Sequence, residues 1–272
     1  MIRGCGVARP RPGDVDDELW AVIEPLLPKV ERRARHPGRK RHPDRLVFQG
    51  ILFVLHTGIA WEHLPQELGF GSGMTCWRRL AEWTKAGVWP RLHEVLLAKL
   101  RSVNVLDFSW AAVDGSHVRA FKGSSKTGRS PVDRGRTGSK HHLITDVTGI
   151  PLAVTLTGGN RNDVTQLVPL LEAVPSVRGK RGRPRRRPDV VLGDRGYDHD
   201  KSRRLVWELG VKPVIAHRWV VERAFAHLHW FRRLRIRWEI RDDIHEAFLK
   251  LACCIICWRR LTKPCLSRRG PS

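Results

Sequence analysis

Residues 188–200 read PDVVLGDRGYDHD. The run Val190-Val191-Leu192 is apolar without alternation, as a strand covered on both faces should be, and it leads into Asp194. A carboxylate at the end of a buried strand is costly unless something positive lies against it. What that positive group is decides how the rest of the chain reads.

Outward from this stretch the chain alternates strands and helices. SWAAVDGSHVRAF (109–121) predicts a strand, and its apolar run Ala111-Ala112-Val113 also closes on an aspartate, Asp114. KHHLITDVTGIPLAVTLTGG (140–159) predicts a hairpin turning at Asp146-Val147-Thr148-Gly149. A helix follows, with Asp163 as its expected cap and Gln166 completing a capping box. After Asp194 come a helix ending on Gly210 and a strand, VKPVIA (211–216). This order predicts an α/β fold with a mixed sheet. Two helices, 218–238 and 243–261, are expected to close it.

Upstream the chain reads as helical. DDELWAVIEPLLP (16–28) is a short amphipathic helix, and 44–58 is a core helix opening on Asp44 as its expected cap. WEHLPQELG and SGMTCWRRLAEWTKAG, split by Gly69, Gly71 and Gly73, have helix-turn-helix character, with Arg78 and Arg79 placed for DNA. The expected division is a helical DNA-binding part over 1–107, a catalytic α/β part over 108–262 and a basic tail over 263–272.

Composition narrows the partner. Fifty Lys and Arg against twenty-seven Asp and Glu give a formal charge of +23, which calls for a polyanion. No apolar run reaches the length of a membrane span and no secretory leader is evident, so DNA or RNA in a cytosolic compartment is expected rather than a membrane. Cys254-Ile255-Ile256-Cys257 has metal-site spacing but lies in an apolar helical run without a second ligand pair; buried thiols are expected there.

Most acids have structural explanations as caps, turn residues or helix starts. Asp114, Asp194 and Glu222 resist them. Glu222 lies beside the helical stripe Val221, Ala224, Phe225, Leu228 and Phe231. Gathered at one sheet edge, three such carboxylates would hold two divalent ions, Mg²⁺ or Mn²⁺, about 4 Å apart, for phosphodiester chemistry. Asp194 would then face a metal ion.

Five segments resemble the IS5 (IS4/IS5-like) family of DDE transposases of bacterial insertion sequences: WEHLPQELGFGSGMTCWRRLAEW, VDGSHVRAFKG, SPVDRGRTGSKHHLITDVTGIPLAVTLTGGNRNDVTQL, VRGKRGRPRRRPDVVLGDRGYDHDK and RWVVERAFAHLHWFRRLRIRWEIRDDIHEAF. The resemblance implies an RNase H-like catalytic domain with Asp114, Asp194 and Glu222 as catalytic and metal-binding residues. It implies cleavage at terminal inverted repeats, then 3′-hydroxyl attack on target DNA, by a homodimer or larger assembly. Arg218 occupies the arginine of a Tyr-Arg-Glu-Lys signature whose outer positions hold Ile215 and His229. Further DNA contacts are expected at Lys140, Arg218, His229, Arg181 and Arg183. The basic run 178–187 is expected as a solvated loop whose charges attract phosphate without register; the alternative is a minor-groove contact, since Arg181-Gly182-Arg183-Pro184 has the core of an AT-hook. Relatives carry a Gly-rich loop before the glutamate helix, whereas here only Ala216-His217-Arg218 joins strand to helix. That departure leaves open an inactive DNA-binding remnant or repressor, and a nuclease or resolvase without strand transfer is a further alternative.

Overall fold

The computed structural model describes residues 11–31, 35, 40–215 and 219–262. Its elements, in chain order, begin with α1 (Asp17–Ile23), α2 (Asp44–Thr57), α3 (Gly73–Lys85) and α4 (Val88–Ser102). Then come β1 (Trp110–Ala120), β2 (Gly128–Arg129), β3 (Thr137–Asp146), β4 (Pro151–Gly158), α5 (Leu167–Ala173), β5 (Val190–Gly193), α6 (Asp200–Glu208) and β6 (Lys212–Ile215). The last are α7 (Trp219–His229), β7 (Ile236–Arg237) and α8 (Asp242–Thr262).

The strands form one mixed sheet. β3 pairs antiparallel with both β1 and β4, while β5 runs parallel to β1, and β6 parallel to β5. This spatial order, β4-β3-β1-β5-β6, places the first strand centrally with an antiparallel pair on one side and a parallel pair on the other. The fold is α/β and RNase H-like, preceded by helices. α8 runs under the assembly and is buried almost continuously from Ile244 to Trp258, because apolar residues lie all round it. It packs against α4, α3, α7 and β4, so one continuous hydrophobic core passes from the amino-terminal helices to the sheet. Buried His93 of α4 bonds through Nε2 to the Pro151 carbonyl of β4 at 2.9 Å, a further tie between the two regions.

Several local expectations are corrected. WEHLPQELG forms two single 3₁₀ turns, Trp61–His63 and Gln66–Leu68, instead of a helix, since Pro65 removes a donor between them. α2 is preceded by Pro43 with no side-chain cap; Asp44 pairs with Arg79 instead. Asn162, not Asp163, caps the turn before α5, accepting from the Val164 amide at 3.3 Å. The helix expected over 218–238 stops at His229; a 3₁₀ turn, Arg232–Leu234, and β7 take its last third.

The four described cysteines, Cys76, Cys253, Cys254 and Cys257, are free and buried, as expected. Burial pushes the Cys76 and Cys253 thiols up to about 12, far from a reactive thiolate. No helix among the described residues is long and apolar enough to cross a membrane.

Candidate active site

Asp114 lies in the long central strand, and its position follows from register. Trp110, Ala111 and Ala112 of β1 pair with Val190, Val191 and Leu192 of the parallel strand β5. Carried two residues further, that register sets Asp114 beside Asp194, which follows the last residue of β5. Neighbouring strands lie about 4.8 Å apart and residues in register share a face. The apolar runs that precede both aspartates are what hold the two strands side by side.

Both carboxylates are half-buried and both are oriented by backbone. Asp114 Oδ1 accepts from the Gly115 amide at 2.7 Å. Asp194 Oδ1 accepts from the Gly196 amide at 2.8 Å and so starts the 3₁₀ turn Arg195–Tyr197.

Glu222 is on α7, which packs across β1 and β3. The stripe Val221, Ala224, Phe225, Leu228 and Phe231 is buried as its spacing implies, and this turns Glu222 outward to solvent. Among the described residues no three of His, Cys, Asp and Glu gather closely enough to hold a metal ion. The β1–β5 register, carried on, leads Asp114 toward Asp194, while Glu222 lies on the exposed side of α7. Carboxylates on neighbouring strands, one within β1 and one just past β5, suit a hard divalent cation. The short join at 216–218, with Arg218, lies outside the described residues.

The expected DNA contacts divide. Arg78 is exposed on α3, and Arg181 and Arg183 are exposed in the loop before β5. Arg79 is a correction: it is 5% exposed, ion-paired with Asp44 and 5.9 Å from the Trp83 ring. Adjacent helical residues point about 100° apart, so Arg78 and Arg79 cannot share a surface. Lys140 is half-buried, its Nζ 3.1 Å from both Asp163 oxygens and 2.9 Å from the Arg161 carbonyl. His229 is half-buried, and burial, then Arg235, holds its imidazole below the usual range. A neutral, enclosed ring makes a poor phosphate contact.

Sequence reading missed two side-chain clusters around these strands, the first half-buried and the second buried. One is Lys140, Asp163 and His142, where the His142 Nδ1 stands 3.6 Å from Asp163. The other is His141 and His245, whose Nε2 atoms are 2.9 Å apart across β3 and α8. Their partners lie 21 to 104 residues apart, which no local pattern reveals.

Residues 15–93 match the family described as putative transposase of IS4/5 family, and residues 108–218 match the transposase DDE domain. A putative transposase for insertion sequence element IS402 of Burkholderia cepacia is 56% identical over 153 residues, covering 52% of this chain and 72% of that protein. The chain belongs to the IS4/5 family of transposases. An uncharacterized 16.2 kDa protein of insertion element IS402, from the same organism, is 57% identical over 118 residues, covering 43% of this chain and 80% of the relative. Among solved structures, a simian T-cell lymphotropic virus intasome in complex with PP2A regulatory subunit B56 gamma is 13% identical, with a TM-score of 0.38. That match covers 61% of this chain and 59% of the other. A Mos1 mariner paired end complex with Mn is 11% identical, with a TM-score of 0.35, over 86% of this chain and 78% of the other. As a DDE transposase, this IS4/5-family protein catalyses DNA transposition, a cleavage and transfer chemistry that uses divalent metal. Asp114 and Asp194 both fall within the matched DDE domain; Glu222 lies just beyond its end.

Proposed function

We propose that Asp114, Asp194 and Glu222 are the catalytic carboxylates of this transposase. Cleavage would occur at the terminal inverted repeats of the element, followed by 3′-hydroxyl attack on target DNA. The observation that carries this reading is the placement of Asp114 and Asp194 at adjoining positions on two parallel strands. Strand spacing sets their separation, and the Gly115 and Gly196 amides restrict how each carboxylate can turn. These three carboxylates would hold the two ions. When bound, Mg²⁺ or Mn²⁺ supplies activation of the attacking water or hydroxyl and stabilises the leaving oxygen.

DNA is the partner that the +23 charge favours, with Arg78 on the exposed side of α3 as one phosphate contact. Two DNA ends must be held at once, which calls for a homodimer or larger assembly working where the bacterial chromosome lies, in the cytoplasm.

The test is cleavage of a duplex carrying the element's own end by the purified protein, with Mg²⁺ or Mn²⁺, beside Asp194→Ala. End-specific cutting and joining that disappear in the variant are the expected result. Binding without cutting in either protein would reduce the chain to a DNA-binding remnant. Cutting without joining would make it a nuclease.

A further inference from the structure

The run Arg178-Gly179-Lys180-Arg181-Gly182-Arg183-Pro184-Arg185-Arg186-Arg187 carries seven basic side chains, and the structure divides them by job. At the base, Val177 and Arg185 form an antiparallel bridge through two backbone hydrogen bonds of 2.7 and 3.0 Å. Arg185 pairs with Asp189 at 2.6 Å and lies 5.8 Å from the Phe108 ring, while Arg187 donates to the Leu209 carbonyl at 2.7 Å. Arg101 of α4 donates to the Val177 carbonyl at 2.5 Å. Gly179, at φ +102°, lies so close to α4 that a Cβ there would stand 2.2 Å from the Ala98 carbonyl oxygen. The base is thus fastened at five points. At the tip Lys180, Arg181 and Arg183 are exposed, and so are Arg178 and Arg186 at the base. Gly182 has φ +101° with nothing within 4 Å of where its Cβ would be.

A charge run that only keeps a loop solvated does not need such fastening. We infer that residues 178–187 are a preformed minor-groove contact for A·T-rich double-stranded DNA. This rests on the reading that the chain acts on DNA, and names a second contact for it. The narrow A·T minor groove has an enhanced negative potential that attracts arginine. Absence of a side chain at Gly182 leaves the tip backbone free to approach the groove floor, where the exocyclic amino group of guanine would obstruct it. The loop feeds β5 at Val190, whereas Asp194 follows the strand's other end, about 13 Å away at strand rise. The contact therefore grips DNA flanking the position of chemistry.

Binding of the full chain to A·T and G·C duplexes of equal length, by fluorescence anisotropy across a salt series, tests this. Wild type should favour the A·T duplex by roughly tenfold, a preference at the scale of one good groove contact. Arg181→Lys with Arg183→Lys should abolish that preference while keeping the salt slope, because the charge stays and the planar guanidinium goes. The double alanine variant should lose the preference and also lower the slope by about 2, at ~0.9 per phosphate contact. An unchanged melting temperature in both variants shows that the fold is intact. Equal binding of both duplexes by wild type, or a preference surviving in the lysine variant, overturns the inference. In that case end cleavage by the same preparation would leave the transposase reading standing.

Discussion

Arg78 and Arg79 are neighbours of identical chemistry with opposite fates, and the difference is energetic. Arg79 is withdrawn from water on the buried side of α3, where Asp44 of α2 meets it and Glu82 stands 3.7 Å away. Burial pulls its pKa down and Asp44 pushes it back. Taking away one partner of such a pair leaves a buried charge without compensation, whereas replacing the charge by an apolar side chain of similar length removes the desolvation cost with it. Asp44→Ala should therefore cost about 2 kcal/mol, moderated because Asp44 is 31% exposed, and Arg79→Met should cost less. Urea unfolding of the two variants measures the order, and a larger loss in Arg79→Met would refute the pairing argument. Arg78→Ala should leave the unfolding midpoint in place and weaken duplex binding alone, since its guanidinium faces solvent.

The segment after α7 shows what element-scale patterning conceals. Arg235-Ile236-Arg237-Trp238-Glu239-Ile240 alternates charged and apolar residues, and a hydrophobic-in rule would bury Ile236, Trp238 and Ile240. The structure does the reverse: Arg237 is 1% exposed and Ile240 is 54% exposed. Arg237 donates to the carbonyls of Ser125, Lys126 and Glu239 and to the hydroxyls of Ser124 and Ser139, pinning the connector before β2 beneath β7. Glu239 accepts from Arg233 and Trp61. Those partners are up to 178 residues away in sequence, so local reading extends the helix through to 238. The strands were legible for the opposite reason. β1, β3, β4 and β5 carry apolar runs, and the aspartates that follow the runs of β1 and β5 stand out against them, although β1 continues past Asp114 to Ala120. Glu222 was legible as a helical acid beside a buried stripe, but its distance from the aspartate pair depends on how α7 is entered, which spacing alone does not give. Arg237→Lys should cost about as much as Arg237→Ala, roughly 3 kcal/mol, because an ammonium cannot reach all the acceptors that the planar guanidinium fork meets. Limited proteolysis should then cut first within 122–129, and a stable Arg237→Lys protein with that segment protected would contradict this role.

Over the whole molecule, +23 of charge is held together by a core that also encloses uncharged histidines. Burial lowers His93 to about 4, His142 to about 4 and His245 to about 3, and it holds His141 well below its ordinary value. For a histidine whose folded pKa is depressed, both states are neutral above about 6.5, so no stability difference arises there. As pH falls below 6.5 the unfolded chain takes up protons that the folded chain refuses, and stability drops until the folded pKa is reached. Asp146 works the other way. Burial raises it to about 6 despite hydrogen bonds from the Asp107, Thr148 and Ile150 amides, so between about 6 and 3.8 its proton uptake favours the folded state. At pH 5 each of the three histidines removes about 2 kcal/mol and Asp146 restores about 1, at 1.36 kcal/mol per pKa unit. The net loss of several kcal/mol is comparable to the whole stability of a domain, and the rising positive charge adds to it. Tryptophan fluorescence and circular dichroism should show cooperative unfolding between pH 6 and 4 without denaturant. His93→Gln, which cannot protonate but retains a donor for the Pro151 carbonyl, should move that transition to lower pH. A fold unchanged from pH 7.5 to 4, or a transition indifferent to His93→Gln, would mean that these rings are not enclosed as the structure has them.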